Sequence, residues 1–345
     1  MSLNTILGTR VPLIQAPMAG VQDSSLAMAV SVAGGLGSLP AAMLDAQNLR
    51  RELQVLHTSR LPYNVNFFCH TAPAHTPAAE LKWQAALQPY YQQFGIDPSA
   101  IPASAGRRPF DEEMAEVLEE FSPKVVSFHF GLPSQPLLSR VKARGAFVLS
   151  SATTLNEAQW LVAHGADGVI AQGLEAGGHR GHFLDRDVSV QSNVLTLLQQ
   201  LTPHIHVPII AAGGIANADD VHAAMSAGAA AVQVGTSFLL CHEAKTSPLH
   251  RARLRDVDAP TALTNLFTGG LARGMFNRVM LEIGPENAAA PVFPMATQSM
   301  APLRAKAEAN QCDDFTPLWS GMNRSGCAAC SAAEMVHRLA AGFVR

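Results

Sequence analysis

A repeated unit runs through the first two thirds of the sequence: a short apolar run ends in glycine, serine or proline, and a helix-like segment follows. Eight such runs are present, at 11–16, 36–39, 63–68, 125–130, 146–150, 168–172, 207–212 and 231–235. Nearly continuous apolar runs are typical of parallel strands that are covered on both faces. Eight strands that alternate with helices predict an α/β fold of the (β/α)8 TIM-barrel type.

The alternative α/β fold is an open, doubly wound sheet. That fold usually carries Gly-x-Gly-x-x-Gly directly after its first strand. Here the first strand ends in Ala16-Pro17-Met18-Ala19-Gly20, which lacks this spacing. The barrel is therefore the favoured architecture, and the open sheet is its structural alternative.

The chain is longer than a barrel alone requires. It has 345 residues, and beyond the eighth run the pattern becomes irregular and rich in proline. We predict a barrel over residues 1–242 that residues 319–345 complete. Residues 243–318 are predicted to form a smaller, mostly helical lid subdomain that binds the substrate.

Composition and charge exclude several classes of protein. Hydrophobic residues make up 48% of the chain, which excludes a disordered protein. The net charge is −3, so we expect no nucleic-acid partner and no anionic membrane surface. Glycines and Pro40 interrupt the uncharged stretch between Asp23 and Asp45, which argues against a membrane span. Five cysteines in a long chain, with no recognisable signal peptide, favour a cytoplasmic location.

Glycines and polar residues collect where the predicted strands end. In TIM barrels the carboxyl ends of the strands meet at one face, and active sites form there. The segments concerned are 17–20 after the first strand, Asn64 and Asn66 in the third, 172–182 after the sixth, 212–215 after the seventh and 233–237 after the eighth. We expect them to line one ligand site.

The glycines after the last two strands predict a phosphate site. Gly213, Gly214 and Gly235 leave backbone N–H donors accessible, and Thr236 adds a hydroxyl. TIM barrels often bind phosphate at this position. A simple tight turn is the structural alternative. The sequence has no Gly-x-x-x-x-Gly-Lys-Ser/Thr loop, which disfavours a P-loop nucleotide site.

The densest polar cluster extends from Glu175 to His182. The Gly177-Gly178 pair within it disfavours the helical spacing that a metal site would use, so we predict no metal. A histidine on a glycine-rich loop suits a general base, and its pKa would lie near 6.5 if unperturbed. His179 is the candidate for this role, whereas His182 resembles a structural histidine.

Cys327 and Cys330 form a lone Cys-x-x-Cys pair. A zinc site would need further ligands such as Cys312 or His337, and the chain has no second Cys-x-x-Cys. We therefore predict two reduced, structural thiols.

Four stretches carry a family resemblance: 12–20 (PLIQAPMAG), 171–181 (AQGLEAGGHRG), 208–215 (PIIAAGGI) and 233–238 (QVGTSF). They resemble the nitronate monooxygenases, formerly called 2-nitropropane dioxygenases. The second stretch is specific, and the others are shared with related flavin barrels. The likeness extends from about residue 11 to 238 and continues more weakly through 263–277 and 318–321.

The resemblance implies that the barrel binds FMN. Asn66 and Gln172 match residues that hydrogen-bond the isoalloxazine ring, and 233–236 match the stretch around the phosphate. His179 matches the catalytic base of the family. The full set of implied cofactor-binding residues is Ala16, Met18, Asn66, Gln172, Gly177, Gly178, Gly213, Gly214, Gln233, Val234, Gly235 and Thr236.

The implied activity is oxidative denitrification of alkyl nitronates such as propionate-3-nitronate. FMN and O₂ would be used, and a carbonyl compound and nitrite would be formed. The alternative is an FMN-dependent NAD(P)H:quinone or enoyl-thioester reductase, because such relatives have similar histidine loops on the same barrel. A barrel that binds flavin without catalysis is a third hypothesis, which the presence of His179 disfavours. The expected partners are a small nitronate and O₂, and the expected state is a monomer or homodimer.

Two positions depart from the family pattern. Met322 stands where the family often has glutamine, and Gly270 stands where arginine is commoner. Both lie in the part that is expected to close over the substrate. We expect the change at Met322 to remove a polar contact near the site, and both changes to affect the substrate more than flavin binding.

Overall fold

The computed structural model describes residues 3–74, 76–101 and 107–344, and strands alternate with helices along most of this chain. In chain order the strands are β1 (Leu13–Gln15), β2 (Gly37–Pro40), β3 (Tyr63–Phe68), β4 (Val125–His129), β5 (Phe147–Ala152), β6 (Gly168–Gln172), β7 (Gly178–His179), β8 (Ile209–Ala212), β9 (Ala231–Val234), β10 (Thr261–Thr264) and β11 (Ala272–Met275).

The α-helices follow most of the barrel strands. They are α1 (Leu3–Leu7), α2 (Ser24–Ala33), α3 (Ala46–Thr58), α4 (Pro77–Phe94), α5 (Glu112–Phe121), α6 (Gln135–Ala143), α7 (Leu155–Ala163), α8 (Val194–Leu201), α9 (Ala218–Ser226), α10 (Pro248–Leu254), α11 (Arg278–Ile283), α12 (Ala296–Ala309) and α13 (Ala332–Ala340). Within the described ranges, no helix combines the length and the apolar content that crossing a bilayer requires.

Eight of the strands close into a parallel barrel, which confirms the predicted TIM-barrel fold. The hydrogen-bonded neighbours follow the order β1-β9-β8-β6-β5-β4-β3-β2. The barrel closes between β1 and the residue that precedes β2. Leu36 N donates to Leu13 O at 2.8 Å, and Gln15 N donates to Leu36 O at 2.9 Å. The seventh and eighth barrel strands are therefore β8 and β9.

Local capping signals fix where the helices begin. The side chain of Asp23 accepts a hydrogen bond from Ser25 N and so satisfies a free donor at the start of α2. At the start of α9, Asn217 and Asp220 form a capping box, in which each side chain accepts from the other's backbone. These caps fix the conformation of the loops that connect the carboxyl ends of the barrel strands to the helices.

One end of the barrel is filled with apolar side chains. α1 buries Leu3 and Leu7 in a cluster with Ile210 of β8 and with the first residues of β4 and β9, Val125 and Ala231. The sequence pattern did not predict α1. Because this apolar cluster fills the barrel at the amino ends of the strands, a ligand has access to the barrel interior from the carboxyl ends.

The chain beyond β9 attaches directly to the loop after β6. β11 pairs antiparallel with β7, so that Ala272 lies opposite His179 and Arg273 lies opposite Gly178. Residues 243–318 contain the strands β10 and β11 as well as helices. α4 joins this part, because the Tyr91 hydroxyl donates to Ser299 O of α12 at 2.7 Å. The division into a barrel and a substrate-binding lid stays a prediction.

Candidate active site

A cavity of about 1340 Å³, including its open mouth, lies at the carboxyl ends of the barrel strands. His179 lines it, together with every predicted cofactor-binding residue except one: Ala16, Met18, Asn66, Gln172, Gly177, Gly178, Gly213, Gly214, Gln233, Gly235 and Thr236. The exception is Val234, whose side chain is 1% exposed and lies in an apolar core cluster of the barrel wall. Val234 contributes its backbone, which accepts a hydrogen bond from Ala16 N at 2.8 Å.

The turns after β8 and β9 form one end of the cavity. Gly213 and Gly214 have φ values of 108° and 72°, a left-handed conformation that favours glycine. Within the described residues, the N–H groups of Gly214 and Gly235 donate to no other atom of the chain. The Thr236 hydroxyl accepts a hydrogen bond from Gly321 N at 2.9 Å. This end offers free backbone donors to an anion.

The segment after residue 318 completes the same end of the cavity. Asn323 Nδ2 donates to Gly214 O at 2.9 Å and to Asp220 Oδ2 at 3.0 Å, and Asn323 lines the cavity. Met322 was expected to affect a polar contact near the site. Its side chain is instead 54% exposed and does not line the cavity, while its backbone N donates to Glu175 O. Met322 therefore contributes no side chain to the cavity, and the expected loss of a polar contact relative to glutamine stays a prediction.

The two amide side chains predicted to bind the cofactor, Asn66 and Gln172, form hydrogen bonds with other residues of the protein. Asn66 Nδ2 donates to Ser127 Oγ at 2.9 Å, which orients the amide within the cavity. Gln172 Nε2 donates to His179 O at 2.9 Å, and its Oε1 accepts from Gly181 N at 2.7 Å. Gln172 therefore fixes the backbone of the histidine loop.

Gln233, at the end of β9, presents a polar atom without a partner. Its Oε1 is buried, accepts no hydrogen bond from the protein, and belongs to a residue that lines the cavity. A buried carbonyl oxygen without a donor costs free energy. This atom is therefore a candidate acceptor for a ligand N–H.

His179 lies beside the carboxyl ends of β3 and β4, where its ring is 6.2 Å from the Phe68 ring and its carbonyl oxygen is 3.1 Å from His129 Nε2. Its Nε2 lies 2.9 Å from Thr268 Oγ1, and its ring lies 5.1 Å from the Phe293 ring and 5.6 Å from the Trp319 ring. Burial is the first cause that holds the pKa of His179 well below 6.5, and Arg107 is the second. The unperturbed value near 6.5 is therefore too high, and the imidazole is neutral at pH 7.

The other polar residues of the loop after β6 are structural. The carboxylate of Glu175 accepts from Val194 N at 3.0 Å, at the start of α8. His182 Nδ1 is 3.2 Å from Gln191 Nε2, and His182 does not line the cavity. Arg180 is fully buried and donates to Gly173 O at 2.7 Å. In the part of the chain that the structure describes, no three His, Cys, Asp or Glu side chains are grouped as metal ligands.

The two cysteines of the Cys-x-x-Cys pair have different surroundings. Cys327 Sγ donates to Thr236 O at 3.3 Å, beside the turn after β9. The Cys330 thiol interacts instead with Cys241, and both residues are buried. All three thiols are free.

Sequence reasoning missed several residues that line the cavity or contact His179. They are Arg107, His129, His250, Thr268, Phe293, Trp319 and Asn323. His129 is the last residue of β4, so the strand-end rule could have identified it. His250 lies in α10, and the others lie outside regular helices and strands, far apart in sequence, where no local pattern marks them.

Gly270 lies under Phe293. A Cβ at this position would lie 3.1 Å from the Phe293 ring, so the ring covers the place that a side chain would take. Phe293, whose ring also contacts the His179 ring, therefore occupies the space beside Gly270, and the effect of this position on the substrate stays a prediction.

Comparison with known sequences gives a match over nearly the whole chain. Residues 1–342 match the family model described as nitronate monooxygenase. The nitronate monooxygenase of Pseudomonas aeruginosa is 37% identical over 340 residues, which cover 97% of this chain and 96% of that protein. The nitronate monooxygenase of Paraburkholderia phytofirmans is 36% identical over 342 residues, which cover 98% and 93%.

Comparison with solved structures also gives matches over nearly the whole chain. The nitroalkane oxidase from Streptomyces ansochromogenes superimposes with a TM-score of 0.90 at 35% identity, covering 99% of this chain and 98% of that one. FabK from Thermotoga maritima superimposes with a TM-score of 0.74 at 22% identity, covering 99% and 95%. The second likeness shows a shared fold alone.

Proposed function

The chain belongs to the nitronate monooxygenase family, and from that membership we propose that it oxidises alkyl nitronates with FMN and O₂ to a carbonyl compound and nitrite. It is an oxidoreductase, and the family is flavin-dependent. The observation that carries the proposal is the cavity itself. It brings together a half-buried, neutral histidine and a set of free backbone donors.

The residues present fit FMN. The N–H groups of Gly214 and Gly235 and the Thr236 hydroxyl would hold the phosphate, because free donors in a glycine turn suit a dianion. The chain lacks a dinucleotide fingerprint after β1, so FMN is proposed rather than FAD. Asn323 supports this end by holding the carbonyl of Gly214.

The unpartnered Oε1 of Gln233 is suited to a ring N–H of the isoalloxazine. The Asn66 amide, which Ser127 orients, would offer its carbonyl oxygen to the same ring system. Met18 and Ala16 line the cavity beside Gly235, so the turn after β1 would cover one face of the cofactor. When bound, FMN would accept electrons from the nitronate and pass them to O₂.

His179 is proposed as the base for substrates that still carry the α-proton. Its imidazole is neutral at pH 7, so it can accept that proton without first losing one. Thr268 holds the ring through the 2.9 Å contact with Nε2, and the Phe293 and Trp319 rings exclude water around it. A nitronate has already lost this proton, so it needs His179 less.

Product analysis tests the proposed function. Purified protein should contain FMN, identified by HPLC after denaturation. With propionate-3-nitronate in air it should consume O₂ and release one nitrite for each nitronate consumed, because the substrate holds one nitrogen. Free FMN at the same concentration is the control. Nitronate consumption or O₂ uptake at the level of free FMN, with no nitrite, would contradict the proposal.

A further inference from the structure

The cavity contains one ionised side chain whose charge is not balanced. Arg107 lines it, and no Asp, Glu or Lys does so among the described residues. Nη1 of Arg107 is buried and has no hydrogen-bond partner. Burial, and then the charge of Arg304, lowers the pKa of Arg107 to about 10, so the guanidinium stays charged at pH 7. A charged guanidinium nitrogen that is buried without a hydrogen-bond partner costs free energy, which an anionic ligand would offset.

Arg107 is positioned close to the proposed base. Its carbonyl oxygen lies 3.0 Å from His70 Nε2, which ties the backbone of this segment to the loop after β3. The guanidinium carbon lies 5.8 Å from the centre of the Phe293 ring, and the His179 ring lies 5.1 Å from the same ring. Both side chains line the cavity, and the charge of Arg107 contributes to the lowered pKa of His179, so a ligand beside His179 lies within the field of Arg107.

His250 supplies a second unsatisfied group in the same cavity. Its Nε2 is buried without a hydrogen-bond partner, and the residue is 3% exposed. Burial lowers the pKa of His250 to about 4, so its ring is neutral at pH 7. A neutral imidazole adds a polar contact and no charge, so among the described residues that line the cavity Arg107 is the ionised one.

We propose that Arg107 selects the substrate by charge, with its guanidinium binding a planar two-oxygen anion on the molecule that reacts beside His179. The planar fork of arginine matches two oxygens on one central atom, which a lysine ammonium does not. Both the nitronate group and a carboxylate carried by the same substrate have this chemistry. This inference rests on the proposed function, because it assigns Arg107 to the same substrate.

Anion binding by Arg107→Met and Arg107→Lys variants tests this inference. Flavin-loaded protein is titrated calorimetrically with nitrate and with propanoate, which need no turnover. Loss of a charge-assisted hydrogen bond should weaken binding of at least one of these anions roughly 10- to 100-fold in Arg107→Met. Arg107→Lys keeps the charge without the fork and should show a smaller loss. Flavin content should match the wild type, because Arg107 is not among the residues proposed to hold FMN, and Tm should not fall in Arg107→Met, because that change removes a guanidinium nitrogen buried without a hydrogen-bond partner.

Arg108→Met is the matched control. Arg108 is the next residue, but it is exposed and pairs with Asp111 and, at 3.2 Å, with Glu113, so its removal should leave anion binding unchanged. KM values then locate the anion: a rise for both ethylnitronate and propionate-3-nitronate indicates the nitronate group, and a rise for propionate-3-nitronate alone indicates the carboxylate.

The two proposals fail in different ways. Equal affinities for both anions in wild type and Arg107→Met, or no measurable binding by the wild type, would overturn the role of Arg107. Tight anion binding without nitrite release would contradict the proposed function and leave anion recognition by Arg107 supported.

Discussion

Replacing His179 with asparagine should lower the turnover of neutral nitroethane by about 10²–10⁴-fold, the range that a positioned base contributes. This corresponds to roughly 3–5 kcal/mol of activation free energy. Turnover of ethylnitronate should fall much less, because that substrate has already lost its α-proton. Steady-state kinetics with both substrates, on protein of equal FMN content, gives the comparison.

The pH dependence gives a second readout of the same residue. His179 must be unprotonated to accept a proton, so nitroethane turnover should rise with pH through the His179 pKa and then level off. Burial and the neighbouring Arg107, His129 and His70 lower this pKa, so the rise should lie below pH 6.5. The rise should be absent from His179→Asn. Equal losses for nitroethane and ethylnitronate, with FMN still bound, would show that His179 is not the base.

His182→Asn is the control for this loop. His182 lies three residues further on, does not line the cavity, and contacts Gln191 instead. We expect its turnover of both substrates to stay within a few-fold of the wild type. A loss as large as that of His179→Asn would point to a general disturbance of the loop.

Replacing Gly214 with leucine should give protein without flavin. Gly214 adopts φ of 72°, and a Cβ there would lie 3.3 Å from Glu175 Cβ, so a leucine would displace the turn that offers N–H donors to the phosphate. The visible spectrum and HPLC of the purified variant measure flavin content. Full FMN occupancy would show that the phosphate site lies elsewhere.

Gly145→Leu is the control for Gly214→Leu, because it introduces similar backbone strain away from the proposed phosphate site. Gly145 has φ of 80°, a similar left-handed conformation, but it is exposed and has no atom within 4 Å of an added Cβ. Both leucines therefore carry the left-handed cost of about 1–2 kcal/mol. Gly145→Leu should lower Tm and keep its FMN, whereas Gly214→Leu should lose FMN.

The barrel and most of the cavity could be predicted because their signals are local. Apolar runs mark strands, and β3 and β6 begin and end where those runs predict. Glycines at strand ends mark the turns after β6, β8 and β9, which the barrel topology brings to one face. Strand alternation also explains why Val234 does not line the cavity while Gln233 does: they are neighbours in β9, so their side chains point to opposite faces.

The rest of the cavity depends on contacts between distant segments. Arg107 lies within the long connection between β3 and β4, and Thr268 contacts His179 from 89 residues away in sequence. α1 has only five residues, and β7 has two, so neither carries a periodic pattern. Burial also changes chemistry that the residue type alone suggests, as the lowered pKa of His179 shows.

Anaerobic mixing of the flavin-loaded protein with propionate-3-nitronate, and separately with NADH, tests the proposed reaction most directly. Stopped-flow spectra follow the visible absorbance of the oxidised flavin. The proposed function predicts that the nitronate bleaches this absorbance at a rate no slower than turnover, while NADH leaves it unchanged on that timescale. Rapid bleaching by NADH, with no change on adding the nitronate, would contradict the proposal and favour a reductase on the same barrel.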